Sequence, residues 1–101
     1  QLFKKDRIIM LYGSAIKNYA QAGDIDIMAV IKKREFKDVR DILKEKQKVL
    51  PKKIHSIELT DDDLLKNIKK KKGAILDIVK TAVILHGQEE YVEIIKNATS
   101  F

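Results

Sequence analysis

The chain has 101 residues, of which 45% are hydrophobic, and this predicts a single domain, residues 1–101, with one modest core. It contains no cysteine, which excludes a disulfide framework and a thiolate zinc site, and no apolar run approaches the roughly 20 residues that span a bilayer. We therefore expect a cytoplasmic protein without a membrane segment. The net charge of +6 favours polyanionic partners, nucleotides and RNA among them, without identifying one. The chain begins at Gln1, close to the first predicted strand, so whether a further segment precedes it in a longer protein is left open.

The first predicted strand, 7–12, runs into a turn that could receive a phosphate. Residues 8–12 are a continuous apolar run, and the glycine that follows, Gly13, can take backbone angles that other residues avoid. Ser14 is then expected to cap a helix over 14–20. The start of a helix presents unpaired N–H groups, so Gly13 and Ser14 are candidate phosphate-binding residues. Lys17, one turn further on, is either a phosphate contact or a solvent-facing side chain.

The second predicted strand, 24–32, opens with two carboxylates. Asp24 and Asp26 alternate with isoleucines, and alternate residues of a strand project from the same face. Two carboxylates that close repel each other unless a cation lies between them, and Mg²⁺ favours one or two carboxylates together with phosphate oxygens. The pair therefore predicts a magnesium site that opens onto a cleft. The alternative is a pair of solvated acids at a strand end.

The remaining pattern predicts a helix over 35–48, a strand over 53–59 and a carboxyl-terminal helical portion from about 61, with helices over 61–71, 74–81 and 88–97. The resulting fold class is α/β (α+β), with a small mixed sheet covered by helices. Thr60 and Asp63 resemble a helix-capping pair, which explains the acids at 61–63. The lysines at 69–72 are interpreted as a solvated helix end rather than a nucleic-acid contact. His55 and His86 are interpreted as structural.

The first third of the chain resembles a known family. Tyr12-Gly13-Ser14, nine spacer residues and Asp24-Ile25-Asp26-Ile27 are similar to the signature of the minimal nucleotidyltransferases of the DNA polymerase beta superfamily. In the spacer, Lys17 stands where the family often has arginine, and the segment 82–87 resembles the way many members close the domain. The resemblance implies the palm-like nucleotidyltransferase fold.

The superfamily places a third carboxylate on a neighbouring strand, and this chain departs from that pattern. Glu58 is the only acid of the predicted strand 53–59. A shift of one residue moves a side chain to the opposite face of a strand, and aligning on Thr60 places His55 or Ile57 at the family position instead. Whether Glu58 is the third carboxylate, or whether the set is incomplete, is left open.

The resemblance implies transfer of a nucleoside monophosphate from an NTP, with ATP as the expected donor, to an unknown acceptor with release of pyrophosphate. Asp24 and Asp26 would be the catalytic and Mg²⁺-binding residues, and Gly13, Ser14 and Lys17 would contact the nucleotide. Minimal members are often found with a small helical partner protein, and some act on that partner as antitoxins. The alternatives are a nucleotide-binding or regulatory module without turnover, and an RNA-binding accessory domain. The NTP preference, the acceptor and the oligomeric state are not predicted.

Overall fold

A computed structural model describes residues 2–18 and 20–99. The strands are β1 (Ile8–Tyr12), β2 (Asp24–Val30), β3 (Lys53–Leu59) and β4 (Val83–His86). The helices are α1 (Ser14–Lys17), α2 (Phe36–Gln47), α3 (Asp61–Lys69), α4 (Ala74–Thr81) and α5 (Gln88–Thr99), and one turn of 3₁₀ helix, Lys33–Glu35, precedes α2. None of the helices in this described part of the chain has the length and apolarity that a bilayer span requires.

The four strands form one mixed sheet in the order β3-β2-β1-β4. β1 is antiparallel to both β2 and β4, whereas β2 and β3 are parallel and are joined through α2. Parallel neighbours need a long crossover, which explains why a helix lies between them. The predicted fold class, a small mixed sheet covered by helices, is confirmed.

Both faces of the sheet are covered by helices, and alternate strand residues supply the two sides of the core. On one side, here called the α2 face, Ile9, Ile27 and Ala29 belong to the same buried cluster as Val39 and Leu43 of α2. On the other, here called the α3 face, a second cluster unites the sheet with α3, α4 and α5; its buried members are Ile8, Met10, Met28, Val30, Leu59 and Leu64. β1 and β2 contribute to both clusters, as central strands must.

The predicted elements agree with the structure to within two residues at most of their ends. Thr60 caps α3 as expected: its side chain accepts a hydrogen bond from the Asp63 N–H at 3.1 Å, and the Asp63 carboxylate accepts one from the Thr60 N–H at 3.2 Å. The predicted placement of the acids at 61–63 in the first turn of α3 is confirmed as well.

Strand β4 was not predicted, and its omission is an error of the sequence analysis. Residues 83–85 are an apolar run followed by His86, too short to show a periodicity of two, so the sequence alone does not mark 83–86 as a strand. The strand exists because it pairs antiparallel with β1, with a bulge between Ile9 and Met10.

The first helix is shorter than predicted, and its cap differs. α1 ends at Lys17 because Asn18 has extended backbone angles, and Tyr19, inside the predicted 14–20, lies outside the described residues. Ser14 is not the cap. Gly13 occupies that position, so no side chain caps the helix, and Ser14 is its first residue.

Candidate functional site

Asp24 and Asp26 lie on the α3 face at one end of the sheet. They share this face with Met28 and Val30, because all four occupy alternate positions of β2. Asp26 is the register partner of Tyr12 on β1, and Asp24 is the partner of Lys53 on β3. This end of the sheet, where β1 finishes and β2 and β3 begin, is called the Asp24 end below. Asp24 is exposed and Asp26 half-buried, so the carboxylates border solvent while the rest of β2 is buried.

Gly13 is the residue that brings the turn after β1 against the carboxylates. Its φ is +78°, a region that favours glycine, and a Cβ at this position would collide with Oδ2 of Asp26. The missing side chain therefore serves two purposes here. It allows the chain to leave β1 toward α1, and it leaves room for the Asp26 carboxylate beside the turn.

The two other predicted contacts follow this turn. Ser14, directly after Gly13, is exposed, and α1 contacts both β1 and β2. Lys17 is the last residue of α1 and is also exposed. The structure thus brings Gly13 and Ser14 to the same end of the sheet as the two aspartates. It puts Lys17 one helical turn away, with its side chain in solvent.

His55 lies next to the carboxylates, where sequence reasoning had interpreted it as structural. It is the register partner of Asp26 on β3, and its Nε2 lies 3.1 Å from Oδ2 of Asp24. The two side chains are 47% and 50% exposed, so His55 borders the site rather than the core. The parallel register of β2 and β3 determines this contact. In the sequence, the one indication of it is that aligning the strand 53–59 on Thr60 can place His55 at the family position of the third carboxylate.

Glu58 is on the wrong face to join the two aspartates. It is the register partner of Ala29 and therefore points to the α2 face, where its Oε1 accepts a 2.6 Å hydrogen bond from Arg40 Nε. Its side chain is 3% exposed, and its Oε2 has no hydrogen-bond partner among the described residues. The open question about the third carboxylate is settled by this register, because Glu58 cannot reach Asp24 or Asp26 from the other side of the sheet.

Tyr12 closes the site on the β1 side. Burial raises the pKa of its hydroxyl, and the charge of Asp26 raises that pKa further. A raised pKa keeps the phenol neutral and able to donate a hydrogen bond beside the carboxylates.

His86, in contrast, is structural as predicted. Its ring stacks on Phe3 with centroids 5.3 Å apart, and its Nε2 lies 2.8 Å from the carbonyl oxygen of Lys4. Both contacts tie β4 to the segment before β1, away from the Asp24 end.

The donor set at the Asp24 end fits a magnesium ion that takes its other ligands from a substrate. Carboxylate oxygens are hard ligands, and Mg²⁺ is commonly held by one or two carboxylates plus phosphate oxygens and water. Within residues 2–18 and 20–99, no three His, Cys, Asp or Glu side chains are arranged to hold a metal ion together. By themselves, Asp24 and Asp26 could supply only part of the coordination shell of a magnesium ion.

A cavity of about 550 Å³ lies elsewhere, along the outer surface of α5, and is a poor candidate for a nucleotide site. Its lining includes Glu89, Glu90 and Glu93, opposed only by Lys96. Three carboxylates would repel the phosphates of a nucleotide. The chemistry of the Asp24 end is better suited to such a ligand, although its surface is open.

Comparisons of this chain with protein-family models, with curated proteins and with solved structures found no match. The residues of the Asp24 end, and the resemblance of the segment that contains them, are therefore the features of this chain that bear on its function.

Proposed function

We propose that this protein is a nucleotidyltransferase that transfers a nucleoside monophosphate from an NTP, ATP being the expected donor, to an unknown acceptor. One observation carries the proposal: the Gly13 turn packs directly against Asp26, which shares a strand face with Asp24. Two carboxylates on one strand face beside a glycine turn are donors of the kind that a Mg²⁺-dependent reaction of a triphosphate requires.

Each residue of the site has a role in the proposed reaction. Asp24 and Asp26 would hold Mg²⁺, which when bound neutralises phosphate oxygens and stabilises the charge that develops at the α-phosphorus. Gly13 lets the Asp26 carboxylate lie against the turn, and the exposed Ser14 hydroxyl can donate a hydrogen bond to a phosphate there. Lys17 adds a positive charge one turn away. The nucleophilic atom of the acceptor forms the new bond to the α-phosphorus and gives up its proton to water. The bond from that phosphorus to the bridging oxygen breaks, and pyrophosphate leaves with the electron pair.

Nucleotide titration tests the proposal. Isothermal titration calorimetry with the four NTPs, with and without Mg²⁺, is expected to show binding that needs the metal. Asp24→Asn and Asp26→Asn should each weaken Mg²⁺-dependent binding at least tenfold, since each removes a charged metal ligand. Asp62→Asn is the matched control, because Asp62 is an exposed acid in the first turn of α3. Metal-independent binding, or equal effects of all three variants, would contradict the proposed site.

A second candidate function, a nucleotide-binding regulatory module without turnover, is favoured by the position of Glu58. With Glu58 on the opposite face and His55 beside Asp24, the Asp24 end has two carboxylates where the superfamily has three. The small helical partner protein implied by the resemblance would then be the regulated molecule. If the protein binds NTP in a Mg²⁺-dependent way but releases no pyrophosphate when the partner protein is present, the regulatory module is supported over the enzyme.

A further inference from the structure

The sheet has two edge strands, β3 and β4, and β3 is well protected against pairing with another strand. The side chain of Gln47 occupies its backbone: Nε2 donates to the Lys52 carbonyl oxygen at 2.9 Å, and Oε1 accepts from the Ile54 N–H at 2.7 Å. The strand also carries the charged residues Lys53 and Glu58. Occupied backbone groups and charges along a strand both oppose the addition of a further strand.

The other edge strand, β4, has much less protection of this kind. None of its residues is Asp, Glu, Lys or Arg. Gln88 donates one hydrogen bond to the Ile84 carbonyl oxygen at 3.2 Å, and a carbonyl oxygen can accept a second bond. An uncharged strand that pairs on one side only can add a strand on its open side.

Apolar side chains are exposed along this edge, on the α2 face. Val83 pairs with Leu11, which packs against the α2-face cluster, and the bulge leaves Leu85 without a register partner on β1. Leu85 also lines a cavity of about 270 Å³ together with Phe3, and Lys46 is the one charged residue of that lining. Val83, Leu85 and Phe3 are each between 43% and 53% exposed. An apolar patch beside an open strand indicates an interface.

Opposite charges flank the two ends of β4. Lys80, in the last turn of α4, lies three residues before the strand, and Glu89, in the first turn of α5, lies three residues after it. Both helices pack on the α3 face, so the two charges belong to the same side of the sheet. Lys80 and Glu89 are exposed, and neither makes an ion pair or a side-chain hydrogen bond with another described residue.

This edge is complementary to a second copy of itself. A twofold axis perpendicular to the sheet, through the middle of β4, sets the β4 strands of two copies antiparallel. The start of each strand then lies beside the end of the other, so Lys80 of each copy comes next to the partner's Glu89. The α2 faces stay on one side, so Val83 and Leu85 of both copies form one patch. Because β4 is uncharged, no like charges meet along the strands.

We infer that this protein forms a symmetric dimer in which the β4 strands of two copies pair antiparallel and join two four-stranded sheets into one. The inference does not depend on the proposed function. β4 begins beside the end of β1, so the axis puts the two Asp24 ends at opposite ends of the joined sheet, where both stay open. Short strands give a contact at the low end of interface sizes, below about 1,200 Å², so the dimer should dissociate on dilution.

The first test is sedimentation-velocity ultracentrifugation over a wide range of protein concentration at one ionic strength. The wild type should change from monomer to dimer as its concentration rises. Leu85→Lys places like charges across the axis and should raise the dissociation constant at least about tenfold. Val49→Lys is the matched control, because Val49 is an exposed apolar residue between α2 and β3, and it should change that constant less than about threefold.

A charge exchange tests the antiparallel arrangement. Lys80→Glu and Glu89→Lys each replace attraction across the axis by repulsion, so each should raise the dissociation constant about threefold or more. The combined variant Lys80→Glu/Glu89→Lys restores opposite charges and should return that constant to within about twofold of the wild type. A change in net charge alone would move the two single variants in opposite directions, because one lowers and the other raises the net charge of +6.

Several results would overturn the inference. They are a wild type that stays monomeric at every concentration, equal weakening by Leu85→Lys and Val49→Lys, single charge variants that the combined variant does not rescue, and association beyond the dimer. A dimer weakened by Leu85→Lys but not by Lys80→Glu would indicate packing of the α2 faces instead, and this also rejects pairing through β4. If circular dichroism shows that Leu85→Lys does not fold, the charge exchange at exposed helix positions decides the question by itself.

Discussion

At the scale of single residues, the backbone of Gly13 lies directly beside the carboxylate of Asp26. The chain turns there with φ of +78°, and the space that a Cβ would need is already taken by Oδ2 of Asp26. Gly23 directly precedes Asp24, yet apart from its chain neighbours no atom of the described residues lies within 4 Å of the position that its Cβ would take. Two glycines near one pair of acids thus face different constraints.

Replacing Gly13 by alanine should therefore lower the free energy of unfolding by about 2 kcal/mol, since the change adds both a steric contact and an unfavourable φ. Gly23→Ala is the control and should change that free energy by less than about 0.5 kcal/mol. Urea unfolding of both variants measures the difference. Equal losses would mean that the Asp26 carboxylate can move away from the turn at little cost.

Tyr12 offers a direct probe of the charge on Asp26. Because burial and then the Asp26 charge raise the pKa of its hydroxyl, the phenol should ionise above its usual value of 10.0. Ultraviolet titration of the phenolate, with Tyr12→Phe to identify the step, is expected to show this. Asp26→Asn should lower the pKa of Tyr12 relative to the wild type, but this pKa should remain above 10.0 because the burial of the hydroxyl is unchanged.

The sign of the linked effect on stability follows from the same shift. Tyr12 loses its proton more readily in the unfolded chain, so its contribution to stability is complete below pH 10 and is lost as the pH rises through the higher folded pKa. A Tyr12 pKa at or below its usual value would contradict the described contact with Asp26.

At the scale of elements, α2 is attached to the sheet by two charged contacts as well as by its apolar face. Arg40 donates to Glu58 on β3, and Arg7, which is 1% exposed, donates to Glu35 and Asp38 at 3.2 and 3.1 Å. The first contact ties α2 to β3, and the second ties it to the residue before β1. Both lie away from the Asp24 end, so they can be altered without touching the candidate site.

Arg40→Ala should lower the free energy of unfolding by about 2 kcal/mol, because it leaves the buried Glu58 carboxylate without its cation. Adding Glu58→Gln removes the stranded charge, so the double variant should be more stable than Arg40→Ala alone. Thermal or urea unfolding of the four members of this cycle gives the coupling. Additive losses would contradict the pairing of Arg40 with Glu58. A change in Mg²⁺–NTP binding would contradict the separation of Glu58 from the Asp24 end, which lies on the other face of the sheet.

The Arg7–Glu35 contact should make the protein sensitive to acid. Desolvation raises the pKa of Glu35, but the hydrogen bonds and charges of Arg7 and Lys32 together outweigh it, and the pKa is lowered overall. A lowered folded pKa means that the stabilisation is present above the unfolded value of about 4.5 and is lost as the pH falls through the folded pKa.

Glu35→Gln should therefore cost about 1 kcal/mol near pH 7, since Asp38 remains as a partner for Arg7, and the cost should vanish in acid. Urea unfolding at a series of pH values measures this. A difference that stays constant from neutral pH into acid would show that the loss does not arise from the charge of Glu35.

At the scale of the whole molecule, two apolar clusters share one thin sheet. β1 and β2 contribute alternate side chains to both, so neither cluster can form without the strands that support the other. This sharing is the physical reason to expect one cooperative unit over 1–101, even though the helical portion after 61 covers only the α3 face.

Truncation in each cluster tests that expectation. Val39→Ala on the α2 face and Leu64→Ala on the α3 face each empty a fully buried position and should cost about 2 and 3 kcal/mol. Urea unfolding followed by far-ultraviolet circular dichroism and by tyrosine fluorescence should give coincident transitions in both variants. Two separated transitions after either truncation would show that the helical portion unfolds as an independent unit.

Much of the fold, and the centre of the candidate site, could be predicted from the sequence by itself. Local chemistry determined these features: the apolar run and glycine that end β1, the alternation that puts Asp24 and Asp26 on one face, the Thr60 cap of α3, and the covered mixed sheet. Each depends on residues close together in the chain, whose backbone preferences and periodicity can be recognised without a partner.

Only the tertiary structure decided which side chains join that centre. The parallel register of β2 and β3 brings His55 to Asp24 and turns Glu58 to Arg40 on the other face, and pairing with β1 makes a strand of 83–86. A slip of one residue would reverse every such assignment. Register depends on contacts between distant parts of the chain, and for β2 and β3, which are joined through α2 rather than by a tight turn, neither strand shows by itself which residue lies opposite.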